Sequence, residues 1–171
     1  MSFFGKDLSE YYRFQKVILG LILIVGIARL GLSGAGVQTS TVKFISVIAV
    51  AVIGMIYYSI RVHTKGFGSY KQLLPLLFIQ NLVVNVFVAI AIVASILTGK
   101  GNIYTAPEFS GGVDGKTWTH AGAHIFLATI AMTLVGWLVG SAILFITKKV
   151  VPANEGNIAP KGRGKATAAG A

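Results

Sequence analysis

No cysteine occurs in the 171 residues. Thiol catalysis, disulfides and cysteine-ligated zinc or iron–sulfur centres are therefore excluded. Charge is scarce as well. Lys, Arg, Asp and Glu make up 12% of the chain, against roughly 25% in an average soluble domain. Acids are the scarcest: five Asp and Glu stand against 15 Lys and Arg. None of them falls inside a long apolar run. Ion- and proton-coupled transport commonly depends on such intramembrane carboxylates, so their absence argues against a coupled transporter.

What the chain has is apolar bulk, 54% of its residues, gathered into four runs. These are about 14–32, 44–60, 73–98 and 118–147. A bilayer's hydrocarbon core is about 30 Å thick and needs roughly 17–25 helical residues to cross. The second run is near that minimum, and the last two exceed it. The runs are continuous rather than alternating, which predicts helices and argues against a β-barrel. The expected fold class is all-α: a four-helix transmembrane bundle over residues 1–150. A basic tail, 151–171, is rich in Gly, Ala and Lys, and its composition predicts disorder.

The net charge of +10 predicts orientation rather than a nucleic-acid partner, because the basic residues sit in short segments between apolar runs. Lys6, Arg13 and Lys16 precede the first run. Arg61, Lys65 and Lys71 lie between the second and third. Lys148, Lys149, Lys161, Arg163 and Lys165 follow the fourth, which puts eleven of the 15 on one side. Only Arg29, Lys43, Lys100 and Lys116 belong to the other. The positive-inside bias places both termini in the cytoplasm of a plasma-membrane protein. Tyr11, Tyr12, Tyr57, Tyr58 and Tyr70 are expected at the inner interface, and Tyr104 and Trp118 at the outer one. An alternative for the first run is a cleaved signal peptide, since the small residues Ser33 to Gly36 follow it.

Candidate chemistry concentrates near the outer end of the fourth run. His120 and His124 are spaced i, i+4 and share a helix face. Such a pair holds a metal when further ligands join it, and Glu108 and Asp114 in the preceding loop are the available ones. Position 121 is Ala, where the zinc-protease motif has Glu. Haem needs axial ligands from opposite faces. His63, at the other end of the second run, does not face the pair, so a haem would draw on a second chain, with Met55 and Met132 as alternative ligands. Arg29 is expected to snorkel to the outer surface, with Glu108 or Asp114 as its partner. Asn81 and Asn85 lie one turn apart in the third run, with Ser95 roughly in line, and predict helix–helix hydrogen bonds. At 100° per residue, Thr129, Thr133, Gly136 and Gly140 form a second stripe nearly opposite the histidines. The fourth helix is thus expected to present two separate contact faces.

No motif points to catalysis. The leading functional expectation is a non-catalytic accessory, anchor or assembly subunit of a larger membrane complex. Its partners would be the lipid bilayer and further membrane subunits or copies of itself. The second expectation is a metal- or haem-binding redox subunit using His120 and His124. The third is a small-molecule carrier or channel using the Asn81/Asn85 face.

Overall fold

A computed structural model describes residues 2–152, so from 153 onward the expected tail lies outside the described residues. The chain opens with a small antiparallel hairpin, β1 (Ser2–Phe3) paired with β2 (Lys6–Asp7). Helix α1 (Leu8–Gly34) starts further upstream than the apolar run because polar groups cap it. The Asp7 backbone N–H donates to Glu10 Oε2 at 2.8 Å, and Lys6 Nζ reaches Glu10 Oε1 at 3.0 Å. These bonds occupy first-turn groups that the helix itself leaves unpaired.

The second span is broken. A short helix, α2 (Thr39–Val42), is followed by an irregular stretch and then α3 (Val47–Thr64). Ser46 caps α3, its Oγ accepting the Ala49 backbone N–H at 3.2 Å. Helix α4 (Tyr70–Thr98) starts where the Ser69 backbone N–H donates to Gln72 Oε1 at 2.8 Å, and it stops at Gly99, whose φ of 70° suits a glycine cap. The fourth span consists of α5 (Trp118–Ala123), one π-helical turn (His124–Ala128) and α6 (Thr129–Val150). The four spans Leu8–Gly34, Thr39–Thr64, Tyr70–Thr98 and Trp118–Val150 are each long and apolar enough to cross a membrane.

Helix α4 is central. In its most apolar stretch 56% of residues are buried, against 28%, 22% and 22% in the others. It packs on α1, α3 and α6, most extensively on α6. Two apolar clusters fill the bundle. One contains Ile18, Ile22, Tyr58, Leu73, Leu77 and Leu144, and the other Val42, Val88, Ile92, Ile103, Tyr104 and Ala121. Tyr11 and Tyr58 are wholly buried and Tyr104 nearly so. These three rings are therefore core residues rather than the interfacial belt expected of them; Tyr12 and Trp118 are exposed.

One end of the bundle gathers both ends of the described chain. His63 Nε2 lies 2.9 Å from the Val151 carbonyl, Lys148 Nζ donates to Ser69 Oγ at 2.8 Å, and Gln72 Nε2 donates to the Phe4 carbonyl at 2.8 Å. Nearby, Trp137 Nε1 donates to the Tyr70 carbonyl at 2.9 Å. The opposite end, here the loop end, is covered by the segment between α4 and α5.

Close helix approach depends on particular glycines. A Cβ at Gly140 would lie 2.8 Å from Ser59 Oγ and 3.2 Å from Leu73 Cδ2, whereas one at Gly136 would meet nothing nearer than 3.8 Å. The GxxxG stripe therefore faces α3 and α4 inside the bundle, and only its second glycine is tight. A Cβ at Gly54 would collide with Gln80 Oε1 and Ile18 Cγ2. Gly54→Ala is expected to destabilise the bundle by about 1–3 kcal/mol. Gly136→Ala should stay within about 0.5 kcal/mol of the parent. Thermal unfolding of both variants in mild detergent checks this, and an equal loss in the two would contradict the packing described.

Candidate functional site

The site begins with a change of helical period. At about 100° per residue, the five steps from His124 to Thr129 would leave the two about 140° apart. The π turn absorbs the extra residue. Thr129 Oγ1 accordingly donates to the His124 carbonyl, five residues back, at 3.1 Å. The two faces expected of the fourth helix thereby merge, and both meet α4. His124 Nδ1 lies 2.9 Å from Asn85 Oδ1, and Asn81 Nδ2 donates to Thr133 Oγ1 at 3.2 Å. Asn85 Nδ2 donates to the Asn81 carbonyl at 2.9 Å, and Thr133 Oγ1 to the Thr129 carbonyl at 2.7 Å. The expectation of separate faces fails because it assumes one constant period through the helix.

Ser95, the third polar residue in line on α4, binds no neighbouring helix. Asn102 Nδ2 donates to Ser95 Oγ at 2.7 Å and to the Ala91 carbonyl at 2.8 Å, while Asn102 Oδ1 accepts the Tyr104 backbone N–H at 2.9 Å. Asn102 thus pins the loop onto the end of α4 and turns Tyr104 inward. Burial pushes the Tyr104 hydroxyl pKa up, against the lowering effect of the nearby Arg29 charge. The group stays a protonated donor at neutral pH.

Arg29 lies beneath this loop. It is 6% exposed, and its guanidinium sits 5.1 Å from the ring centres of both Tyr104 and Phe109. The snorkelling expected of it does not occur, because the loop folds over the position through which it would emerge. Nor does it meet Glu108 or Asp114: the ion pairs among the described residues are Lys6–Glu10 and Lys116–Asp114. Arg29 Nε and Tyr104 Oη, both buried, have no hydrogen-bond partner among the described residues. Arg29, Asn85, Tyr104, Phe109 and His124 all line one cavity of about 130 Å³. That is close to the size of an engineered pocket of about 150 Å³ that holds benzene.

The expected metal ligands are only partly brought together. The His120 and His124 rings lie 5.0 Å apart, and the Nδ1 atom of each is engaged, that of His120 by the Gly115 carbonyl at 2.9 Å. Asp114 is tied to Lys116, whose backbone N–H and ammonium hold its carboxyl below the usual range. Glu108 is exposed on the short 3₁₀ turn Pro107–Phe109. Among the described residues no three His, Asp or Glu side chains gather as a metal site. The four-residue set fails to assemble because the loop carboxylates are turned outward while the histidines are held by their own carbonyl and amide contacts. His63 is bonded at the opposite end of the bundle, so it cannot join the pair about one haem.

Sequence reasoning missed Tyr104, Phe109 and Asn102 as parts of the site. The available signal was Arg29 itself, a charge in an apolar run with aromatic residues in the facing loop. Asn102→Ala is expected to release the loop and to cost about 1–3 kcal/mol, since it leaves buried groups unpaired. Limited trypsin digestion reads this out as faster cleavage at Lys116; unchanged protection would contradict the role given to Asn102. The chain matches no known protein family, curated protein or solved structure, so its own geometry carries the functional reading.

Proposed function

We propose that the chain is a multi-pass protein of the plasma membrane, with both termini cytoplasmic, that binds a small anionic ligand inside its bundle. The membrane reading is supported by the four apolar spans. The orientation is supported by Lys6, Arg13, Lys16, Arg61, Lys65, Lys71, Lys148 and Lys149, which flank the end where both ends of the described chain meet. The reading is one of binding, because the charged group lining the cavity is the Arg29 cation, and among the described residues no carboxylate, thiol or serine lies beside it. This keeps the non-catalytic character of the accessory-subunit reading and adds a ligand to it.

The observation that carries the proposal is Arg29, a buried cation with no carboxylate partner among the described residues. Burying an unpaired ion costs several kcal/mol even after relaxation. Two cation–π contacts offset roughly 0.5–2 kcal/mol each. A bound anion would supply the remainder, taking donors from Arg29 Nε and the Tyr104 hydroxyl, the two unpartnered buried atoms whose residues line this cavity. The metal reading ranks below this one, because two histidines fall short of the three protein ligands that even open zinc sites use.

Thermal unfolding in nanodiscs tests the proposal. Propionate and benzoate are expected to raise the midpoint, with an increment that grows as the logarithm of ligand concentration, and the matching amides are not. Arg29→Met is expected to abolish the shift. The ligand-free variant should be as stable as the parent or more so, by up to about 4 kcal/mol, since an unpaired buried charge is gone. Absence of any shift with carboxylate, phosphate or halide would overturn the proposal.

A further inference from the structure

We infer that the ligand is a single-chain amphiphile, a long-chain carboxylate, with its head in the Arg29 cavity and its tail in a groove between α3 and α6. The inference rests on the binding role proposed above and specifies the ligand's chemistry.

The groove has a volume of about 340 Å³, and Val52, Met55, Val135 and Val139 form its apolar walls. Its floor carries Gln80 and Asn81, whose amide nitrogens already donate to the Ala51 carbonyl and to Thr133 Oγ1. Ile48 and Met132 line both the groove and the Arg29 cavity, so the two spaces share a wall. Met132 in that wall is an unbranched, adaptable side chain that can swing aside. The groove is open laterally, since Ile48, Val135 and Val139 are all exposed.

The occupant follows from charge and direction. Arg29 is five residues from the end of α1, close to the loop end of its span. The groove runs from Ile48 to Met55 along α3, about 11 Å deeper at 1.5 Å per residue. A molecule filling both has its charge near the membrane surface and its chain toward the midplane. That is how a single-chain acid lies in one leaflet of a bilayer. Arg pairs bidentately with a carboxylate, which a neutral alcohol of equal length cannot reproduce. A two-chain phospholipid would have to leave one chain outside a groove of this volume.

The probe is laurate carrying a diazirine at its terminal carbon, added to the full chain in nanodiscs and activated by light. Labelling is expected on α3 between Ile48 and Met55 and on α6 between Met132 and Val139. Excess laurate should suppress it in proportion to its excess over the probe, and dodecanol at the same concentration should not. Arg29→Met should lose the focused labelling. Val135→Trp, which fills the groove at an exposed position away from the cavity, should also lose it while keeping the propionate shift. Scattered labelling over all lipid-facing helices overturns the tail assignment even if the propionate shift stands, and focused labelling that survives Arg29→Met overturns the anchoring of that ligand's head at Arg29. Equal competition by dodecanol overturns the carboxylate head. Loss of the propionate shift in the parent protein overturns both the ligand and the binding role beneath it.

Discussion

A helix sunk in apolar surroundings has to satisfy its own polar side chains, and α4 carries Gln80, Asn81, Asn85 and Ser95 in its buried face. Each unpaired amide there would cost about 1–3 kcal/mol. That constraint sets the neighbours. Gln80 reaches α3 through the Ala51 carbonyl, Asn81 reaches Thr133 on α6, Asn85 reaches His124, and Ser95 takes the loop through Asn102. Apolar packing alone is weakly directional, because lipid tails compete on equal terms with leucine for a helix surface. The four polar contacts select the register and rotation of everything that packs on α4.

The π turn is a consequence of the same demand. A regular helix through Trp118–Val150 could present Thr133 or His124 to α4, but not both. One inserted residue lets both meet the adjacent amides, at the cost of one turn of regular backbone bonding. The loop before α5 lies across the end of the bundle, held to α4 by Asn102, and Tyr104 and Phe109 come to rest on Arg29. The cavity is therefore assembled from five separate stretches of chain, α1, α3, α4, the loop and the fourth span, with α4 contacting or holding the others.

Arg29 is the charged element of this arrangement that stability does not explain; Gln15 and the Gln80 Oε1 atom are likewise buried without a partner among the described residues, but they carry no charge. The bundle would fold around a methionine at that position, and the ring faces that embrace the guanidinium would pack against its thioether as well. Residues that cost stability are concentrated where function needs them. The imbalance of charge in the cavity, with no acid among the described residues to correct it, is the physical ground for seeking the missing partner in a ligand.

The four apolar spans and their helical nature follow from composition and periodicity, because a segment long and apolar enough to cross hydrocarbon must satisfy its own backbone; the early start of α1 and the break between α2 and α3 do not. Asn81 and Asn85 were legible as helix–helix contacts for the same reason: a buried amide needs a partner wherever it is. The partner's identity was not legible. Pairing Asn85 with His124 depends on a change of period that one residue's neighbours do not announce. Pairing Asn102 with Ala91 and Ser95 depends on a loop folding back over a helix end. Tyr11, Tyr58 and Tyr104 look like interfacial rings in sequence and are core in three dimensions, since an aromatic residue near a helix end suits either place. Arg29 shows the division most plainly. Its position in the chain determined that a charge would lie near one end of the first helix; whether that charge would reach water was decided by a loop some seventy residues away, through contacts that no local rule encodes.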